Sequence, residues 1–286
     1  MAIRAPKKWL LSTALLSVAL GGALIIRKYR LPPTTNSYYV ALGSSFAAGL
    51  GLGPRAPGSP VVSQRSTNGY PQQLARKLNI QSFTDMTSSG STVLHVIKGG
   101  QMLLGPQIDA LGPDTRLVTL TAGGNDIAYV GDLMAMAYRN HGGIFGSAVR
   151  LFWKGAKPAN ERNFVGLAEN LQATIAEVKR RSPQARIIIV TYPVILPPQG
   201  TCEGLCLTEQ QVTLMRAVGE TLAQITRDIG LSMGATVVDM ATLSIGHDAC
   251  SAVPWVNGFK SGNGANFHPS NLGAEATANA IMEAIS

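Results

Sequence analysis

The sequence lacks the residues that metal sites and dinucleotide-binding sites need. Its 286 residues include only four histidines and three cysteines, and no His-Glu-x-x-His pattern occurs among them. No fourth ligand stands at zinc-motif spacing from the cysteines, so we expect no metal ion. No aspartate or glutamate precedes Asp85. A dinucleotide-binding domain has an acidic residue about 20 positions after its glycine-rich loop. This absence argues against that class, and we expect no cofactor.

The chain is also poor in charge, with 14% charged residues and a formal net charge of +8. The surplus is largely confined to one end, because residues 1–30 contain six basic residues and no acidic one. The remaining chain has 18 basic residues against 16 acidic ones, a balance of only +2. That is too little for a surface that binds nucleic-acid phosphates. We therefore expect no nucleic-acid partner.

The basic N-terminal end surrounds an uncharged, mostly apolar run at residues 9–26. As a helix this run would span about 27 Å, enough to cross the hydrocarbon core of a bilayer. We favour an uncleaved signal anchor in residues 1–30, followed by a short Pro-containing linker at 31–37. In the alternative, a cleaved signal peptide, residues 9–18 are the apolar region and 19–21 the cleavage site.

Both alternatives send residues 38–286 into the secretory pathway, either anchored to a membrane with an extracytoplasmic domain or secreted. The three cysteines, Cys202, Cys206 and Cys250, fit an oxidising compartment. Their number allows one disulfide and one free thiol. The sequence does not determine which two of them pair.

Short β-branched runs alternate with amphipathic helical patterns along residues 38–286. The runs lie at 38–42, 83–87, 117–121, 187–191 and 235–239. Helices are predicted over 163–181, after Thr208 with a capping box to Gln211, and from Pro269 to Ile285. This alternation predicts a five-stranded parallel sheet covered on both faces, a three-layer α/β/α sandwich. We interpret the irregular residues 127–162 as a cap over the site, with ordinary core helices as the alternative.

Four short blocks follow predicted strands or open the last helix. They are Gly-Ser-Ser-Phe-Ala-Ala-Gly at 43–49, Ser-Ser-Gly-Ser at 88–91, Gly-Gly-Asn-Asp at 123–126 and Phe-His-Pro-Ser at 267–270. The loops at the carboxyl ends of parallel strands meet at one edge of the sheet. Together the blocks contain a nucleophile, a general base and hydrogen-bond donors for an oxyanion, which acyl transfer requires.

In this order, the blocks resemble those of the SGNH hydrolases, the GDSL-type serine esterase/lipase superfamily, over nearly all of the chain after Tyr38. The resemblance implies a flavodoxin-like sheet, with Ser45 as nucleophile and His268 as base. It also implies an oxyanion hole made of the backbone N–H groups of Ser45 and Gly90 and the side-chain amide of Asn125. The implied reaction is acyl transfer from a small-molecule or lipid ester, without a cofactor.

Two positions depart from the family pattern. Ser44 stands where the family has aspartate before the nucleophile, and Ala265 stands where an acid usually precedes the histidine by three residues. That acid normally orients the imidazole. We favour the backbone carbonyl of Ala265 as the replacement, because a neutral acceptor still fixes the tautomer. The alternative is a carboxylate from elsewhere, such as Asp248.

The two missing aspartates motivate a rival of another class, a membrane-tethered binding protein or pseudoenzyme on the same fold. We favour the hydrolase, because the serine, the oxyanion donors and the histidine are all present. The sequence does not indicate the acyl chain length or the alcohol part of the substrate.

Overall fold

The computed structural model describes residues 36–259 and 264–286. The predicted N-terminal segment 1–30 and all but the last two residues of the predicted linker 31–37 lie outside the described residues. Within the two described ranges, no helix is long and apolar enough to cross a membrane. The signal anchor and the signal peptide therefore both stay predictions.

Five parallel strands form one sheet, as the sequence predicts. They are β1 (Tyr39–Gly43), β2 (Phe83–Asp85), β3 (Leu117–Thr121), β4 (Arg186–Val190) and β5 (Thr236–Val238). Their order is β2-β1-β3-β4-β5, and the observed ends differ from the predicted ones by at most two residues. The chain moves outward in one direction from β1 to β2 and in the other from β3 onward. The carboxyl ends of β1 and β3 thus form the switch point at which open α/β sheets bind ligands.

Helices connect the strands and cover both faces of the sheet. They are α1 (Ser45–Ala48), α2 (Tyr70–Lys77), α3 (Val93–Lys98), α4 (Tyr129–His141), α5 (Gly143–Phe152), α6 (Phe164–Arg181), α7 (Glu209–Ser232), α8 (Met240–Leu243) and α9 (Asn271–Ile285). On one face, side chains of α3, α4, α6 and α7 share a core with Val40 and Leu42 of β1. On the other face, α2 and α9 share a core with Tyr39 and Ala41. Successive residues of β1 thus supply both cores, which explains its continuous apolar sequence.

Local hydrogen bonds fix where the helices begin. The predicted capping box forms, because Thr208 Oγ1 accepts the Gln211 N–H at 3.3 Å and Gln211 Oε1 accepts the Thr208 N–H at 2.9 Å. The last helix begins later than predicted. Ser270 caps α9 by accepting the Gly273 N–H at 3.2 Å, so Pro269 lies before the helix.

The segment 127–162 contains two helices of different character. α4 buries Leu133 and Met136 in the core, so for α4 the core-helix alternative is correct. α5 packs against α4 and leaves most of its large apolar side chains exposed to solvent.

The disulfide links Cys202 to Cys250, and Cys206 is a free thiol. The bond joins the loop that follows β4 to the loop that follows β5. It therefore fixes two of the loops at the edge of the sheet where the strands end.

Candidate active site

Ser45 is the first residue of α1 and lies just past the carboxyl end of β1. The turn that leads to it depends on Gly43, which has a φ of +141°. A Cβ atom at position 43 would lie 2.4 Å from the carbonyl oxygen of Thr121 on β3. Because only glycine tolerates both this dihedral and this approach, β1 stays paired with β3 until the turn. Ser45 is thereby placed at the switch point of the sheet.

Ser45 and His268 lie 223 positions apart in the sequence and are in direct contact in the fold. The imidazole Nε2 lies 2.8 Å from Ser45 Oγ, and Nδ1 lies 2.7 Å from the carbonyl oxygen of Asn266. A carbonyl oxygen can only accept a hydrogen bond, so Nδ1 carries the ring proton. Nε2 therefore presents its lone pair to the serine hydroxyl, as a general base must.

Burial keeps this imidazole neutral. His268 is 7% exposed, and the Phe46 ring lies 5.0 Å from it between centroids. Desolvation lowers the pKa of His268 to about 4, although the hydrogen bond to Asn266 acts in the opposite direction. At neutral pH the ring is consequently in the form that can accept a proton.

The predicted acceptor at Ala265 is wrong by one residue. The Ala265 carbonyl instead accepts the backbone N–H of His268 at 3.2 Å, and the next carbonyl, that of Asn266, meets Nδ1. The alternative carboxylate, Asp248, accepts the Cys250 N–H at 2.8 Å. Within the described ranges no carboxylate is bonded to the imidazole, so a neutral backbone group orients it.

Ser44 occupies the position of the family aspartate and belongs to a buried hydroxyl pair. Its Oγ lies 2.8 Å from Tyr192 Oη, and that same Oη accepts the Gly124 N–H at 3.2 Å. Burial raises the pKa of Tyr192 to about 12, and its hydroxyl is protonated at neutral pH. Tyr192 thus connects the first block to the third. No motif in the sequence singles it out, although its place directly after a predicted strand was a usable signal.

Gln107 connects the first block to the second in a similar way. The Gly43 N–H donates to Gln107 Oε1 at 2.7 Å, and Gln107 Nε2 lies 3.0 Å from the Gly43 carbonyl oxygen and 3.2 Å from Ser91 Oγ. Its side chain is buried, and it lies in a short 3-10 turn outside all four blocks. Nothing in the local sequence pattern marks it.

The second and third blocks also contact each other. Asn125 Nδ2 donates to the Ser91 carbonyl at 2.9 Å, which holds the amide beside the turn that contains Gly90. Asp126 accepts the Val93 N–H at 3.0 Å, and burial raises the pKa of this carboxyl to about 6. Among the residues that the structure describes, no protein acceptor binds the backbone N–H of Ser45 or of Gly90.

A cavity of about 680 Å³ lies beside these blocks, between α7 and the loops that follow β4 and β5. Tyr192 lines the cavity and packs its ring on Phe46 with centroids 4.4 Å apart. Neither Ser45 nor His268 lines the cavity. In the described part of the chain, no three His, Cys, Asp or Glu side chains converge as a metal-binding group.

Comparison with known proteins identifies the family of the chain. The model of the GDSL-like lipase/acylhydrolase family matches residues 41–276. The chain belongs to this family. It is 30% identical over 264 residues to Lipase 2 of Streptomyces coelicolor, and the match covers 86% of this chain and 85% of that protein.

Two solved structures show the same fold. Phospholipase A1 from Streptomyces albidoflavus superposes with a TM-score of 0.68 and 26% identity, covering 87% of this chain and 99% of that one. An extracellular lipase from Streptomyces rimosus superposes with a TM-score of 0.67 and 24% identity, covering 86% and 98% of the two chains. The predicted superfamily and the predicted fold class are both confirmed.

As a family member, the chain is a carboxylic ester hydrolase. The rival interpretation, a binding protein or pseudoenzyme, was based on two missing aspartates. Ser44 is hydrogen-bonded to Tyr192, the carbonyl of Asn266 is bonded to the imidazole, and Ser45 contacts His268. The enzyme is therefore the better interpretation of the site.

Proposed function

We propose that the enzyme hydrolyses esters by a two-step acyl transfer, with Ser45 as nucleophile and His268 as general base. The observation that carries this proposal is the 2.8 Å contact between Ser45 Oγ and a ring nitrogen whose partner nitrogen holds the proton. His268 Nε2 takes the hydroxyl proton while Oγ bonds to the ester carbonyl carbon. The alcohol leaves with that proton, and a water activated by the same nitrogen then releases the acid.

The oxyanion of each tetrahedral intermediate is bound by the backbone N–H groups of Ser45 and Gly90 and by the amide of Asn125. Two observations support this assignment. No protein group in the described ranges occupies the two backbone donors. The Asn125 amide has two N–H bonds, and the bond to Ser91 uses one of them. Fixed donors of this kind stabilise charge as it develops, without reorganisation.

We infer that the substrate is a lipid ester and that residues 38–286 act outside the cytoplasm. The similar proteins named lipase, phospholipase A1 and extracellular lipase support both inferences. The Cys202–Cys250 disulfide supports an oxidising compartment. In this proposal residues 1–30 direct the chain into the secretory pathway and hold it at a membrane where they are not cleaved.

A fluorophosphonate probe tests the nucleophile directly, because it reacts with an activated serine and forms a stable adduct. We expect the adduct on Ser45 by peptide mass spectrometry, and we expect Ser45→Ala to be folded, unlabelled and inactive. The matched control is Ser44→Ala, since the neighbouring hydroxyl faces Tyr192 and not His268. Full ester hydrolysis by Ser45→Ala, or labelling confined to another serine, would contradict the proposal.

The acyl part of the substrate is tested with a series of p-nitrophenyl esters of increasing chain length. A lipid-ester hydrolase is expected to show a kcat/KM that rises beyond the shortest acyl chains. A preference for the acetyl ester would redirect the assignment to acetylated substrates.

A further inference from the structure

Helix α5 exposes an apolar face that its packing does not explain. At about 100° per residue, one side of the helix collects residues 144, 145, 148, 151 and 152 within an arc of about 120°. The four large side chains of this face are all at least three-quarters exposed, namely Ile144 89%, Phe145 75%, Leu151 75% and Phe152 80%. An amphipathic surface helix normally turns such a face toward the core, and α5 turns it toward solvent.

The opposite side of α5 is firmly attached to the protein. Gly146 allows the close crossing with α4, because a Cβ there would lie 2.5 Å from the Tyr138 carbonyl oxygen. Trp153, just past the helix, donates from Nε1 to Asp132 at 3.1 Å, and Asp132 is also paired with Arg162 at 2.7 Å. These contacts fix the orientation of α5, so the apolar face points outward in the folded protein.

The segment that contains α5 is basic. Residues 139–158 contain no aspartate or glutamate. Their four basic side chains are all exposed, and within the described ranges none of them forms a salt bridge: Arg139, Arg150, Lys154 and Lys157. Arg150 lies on the side of α5 opposite to the apolar face, and Lys154 and Lys157 follow the helix in the chain. A helix with large apolar side chains on one side and exposed cations on and beside the other has the composition of helices that lie in the interface of anionic membranes.

The charge also disfavours a second copy of the chain as the occupant. Two copies that met through this face would bring two basic segments without acidic residues close together, which opposes association. An anionic lipid surface satisfies both features at once, because its headgroups attract the cations and its acyl region accepts the aromatic side chains.

The face is connected to the Ser–His pair by packed aromatic rings. Phe145 lies 6.0 Å from Tyr138, which meets Phe259 edge-on at 4.9 Å, and Phe259 lies 6.3 Å from Phe267. Phe267 directly precedes His268 in the chain. We propose that α5 docks the enzyme on an anionic phospholipid surface, independently of the N-terminal segment, and so holds the site close to lipid substrates.

Hydrogen–deuterium exchange of the full-length chain tests this proposal, because it reports on residues 143–153 separately from the N-terminal run. The probes are vesicles of ether-linked phosphatidylcholine, with and without ether-linked phosphatidylglycerol, which contain no ester bond that the enzyme could cleave. We expect slower exchange at 143–153 only when the anionic lipid is present. The binding result therefore does not depend on the proposed chemistry, which soluble p-nitrophenyl butyrate measures separately.

Two variants identify the contributing groups. One double variant carries Phe145→Ser and Phe152→Ser, and the other carries Lys154→Gln and Lys157→Gln. In each of them, we expect the lipid concentration that gives half-maximal protection at 143–153 to rise at least about tenfold. Both should leave hydrolysis of p-nitrophenyl butyrate unchanged. The control is Leu231→Ser, which removes an apolar side chain that is 59% exposed at the C-terminal end of α7. In this variant, we expect vesicles to protect residues 143–153 as strongly as in the wild type.

Three results would overturn the proposal. The first is an exchange rate at 143–153 that is the same with and without either kind of vesicle. The second is equal protection by vesicles with and without phosphatidylglycerol. The third is protection that rises with protein concentration in the absence of lipid, which would identify a second copy of the chain as the occupant.

Discussion

The buried imidazole predicts an enzyme that stays active in acid. His268 must be neutral to accept the Ser45 proton, and burial lowers its pKa to about 4. We therefore expect kcat/KM to stay level from neutral pH down to about pH 5 and to reach half its value near pH 4. For a free enzyme, this acid limb reports the pKa of the essential base.

The size of the effect follows from the pKa difference. At pH 5.5 a histidine with the ordinary pKa of 6.5 would be only about 10% neutral, whereas a pKa of about 4 leaves it almost fully neutral. The enzyme is thus expected to retain about ten times more activity at this pH than an ordinary histidine base would allow. The cause is desolvation of the ring, since only a carbonyl oxygen is present to offset it.

The assay is hydrolysis of p-nitrophenyl butyrate, an uncharged ester, with the released nitrophenol read after transfer to alkali. Circular dichroism at each pH is the control, because the fall of kcat/KM at low pH must be distinguished from acid unfolding. An acid limb centred near pH 6.5 in folded enzyme would refute the reasoning. Ala265→Asp provides a comparison, because a carboxylate that reaches the imidazole favours its charged form and moves the limb upward by about one unit or more.

Two further predictions concern the oxyanion donors and the loops beyond them. Asn125→Ala is expected to lower kcat by about 100-fold or more, which corresponds to about 3 kcal/mol, with little change in KM. Steady-state kinetics measure both constants. An effect on KM alone would assign Asn125 to substrate binding instead. Replacing both Cys202 and Cys250 by serine opens a loop of 48 residues and should lower the free energy of unfolding by about 4 kcal/mol. Urea denaturation checks this, and an unchanged midpoint would show that the loops are fixed by packing alone.

The fold could be predicted because its signals are local. A buried parallel strand is a short apolar run, and the five runs between helical patterns matched the five strands within two residues. The capping box of Thr208 and Gln211 was visible for the same reason, since both partners lie within one turn. The order of the four blocks led to Ser45 and His268, which the fold then brings into contact.

The contacts of the supporting residues could not be predicted, because no motif marks these residues and their partners are far away in the sequence. Gln107 bonds to Gly43 across 64 positions and Tyr192 to Ser44 across 148, and no spacing rule relates such pairs. The choice of Asn266 over Ala265 depends on backbone geometry within one turn. The outward face of α5 was equally hidden, because its apolar residues have the spacing of an ordinary core helix.

The low pKa of His268 is related to the use of a backbone carbonyl, that of Asn266, in place of a carboxylate. A carboxylate beside Nδ1 would stabilise the imidazolium that forms when Ser45 loses its proton, and it would raise the pKa of the ring. A carbonyl fixes the same tautomer and provides only a dipole. The base is then weaker but stays available at lower pH. Because less stabilisation comes from the base, more of it must come from the donors that bind the oxyanion. Loss of the Asn125 amide should therefore reduce kcat more in this enzyme than in its Ala265→Asp variant, and equal losses in the two backgrounds would show that base and oxyanion donors act independently.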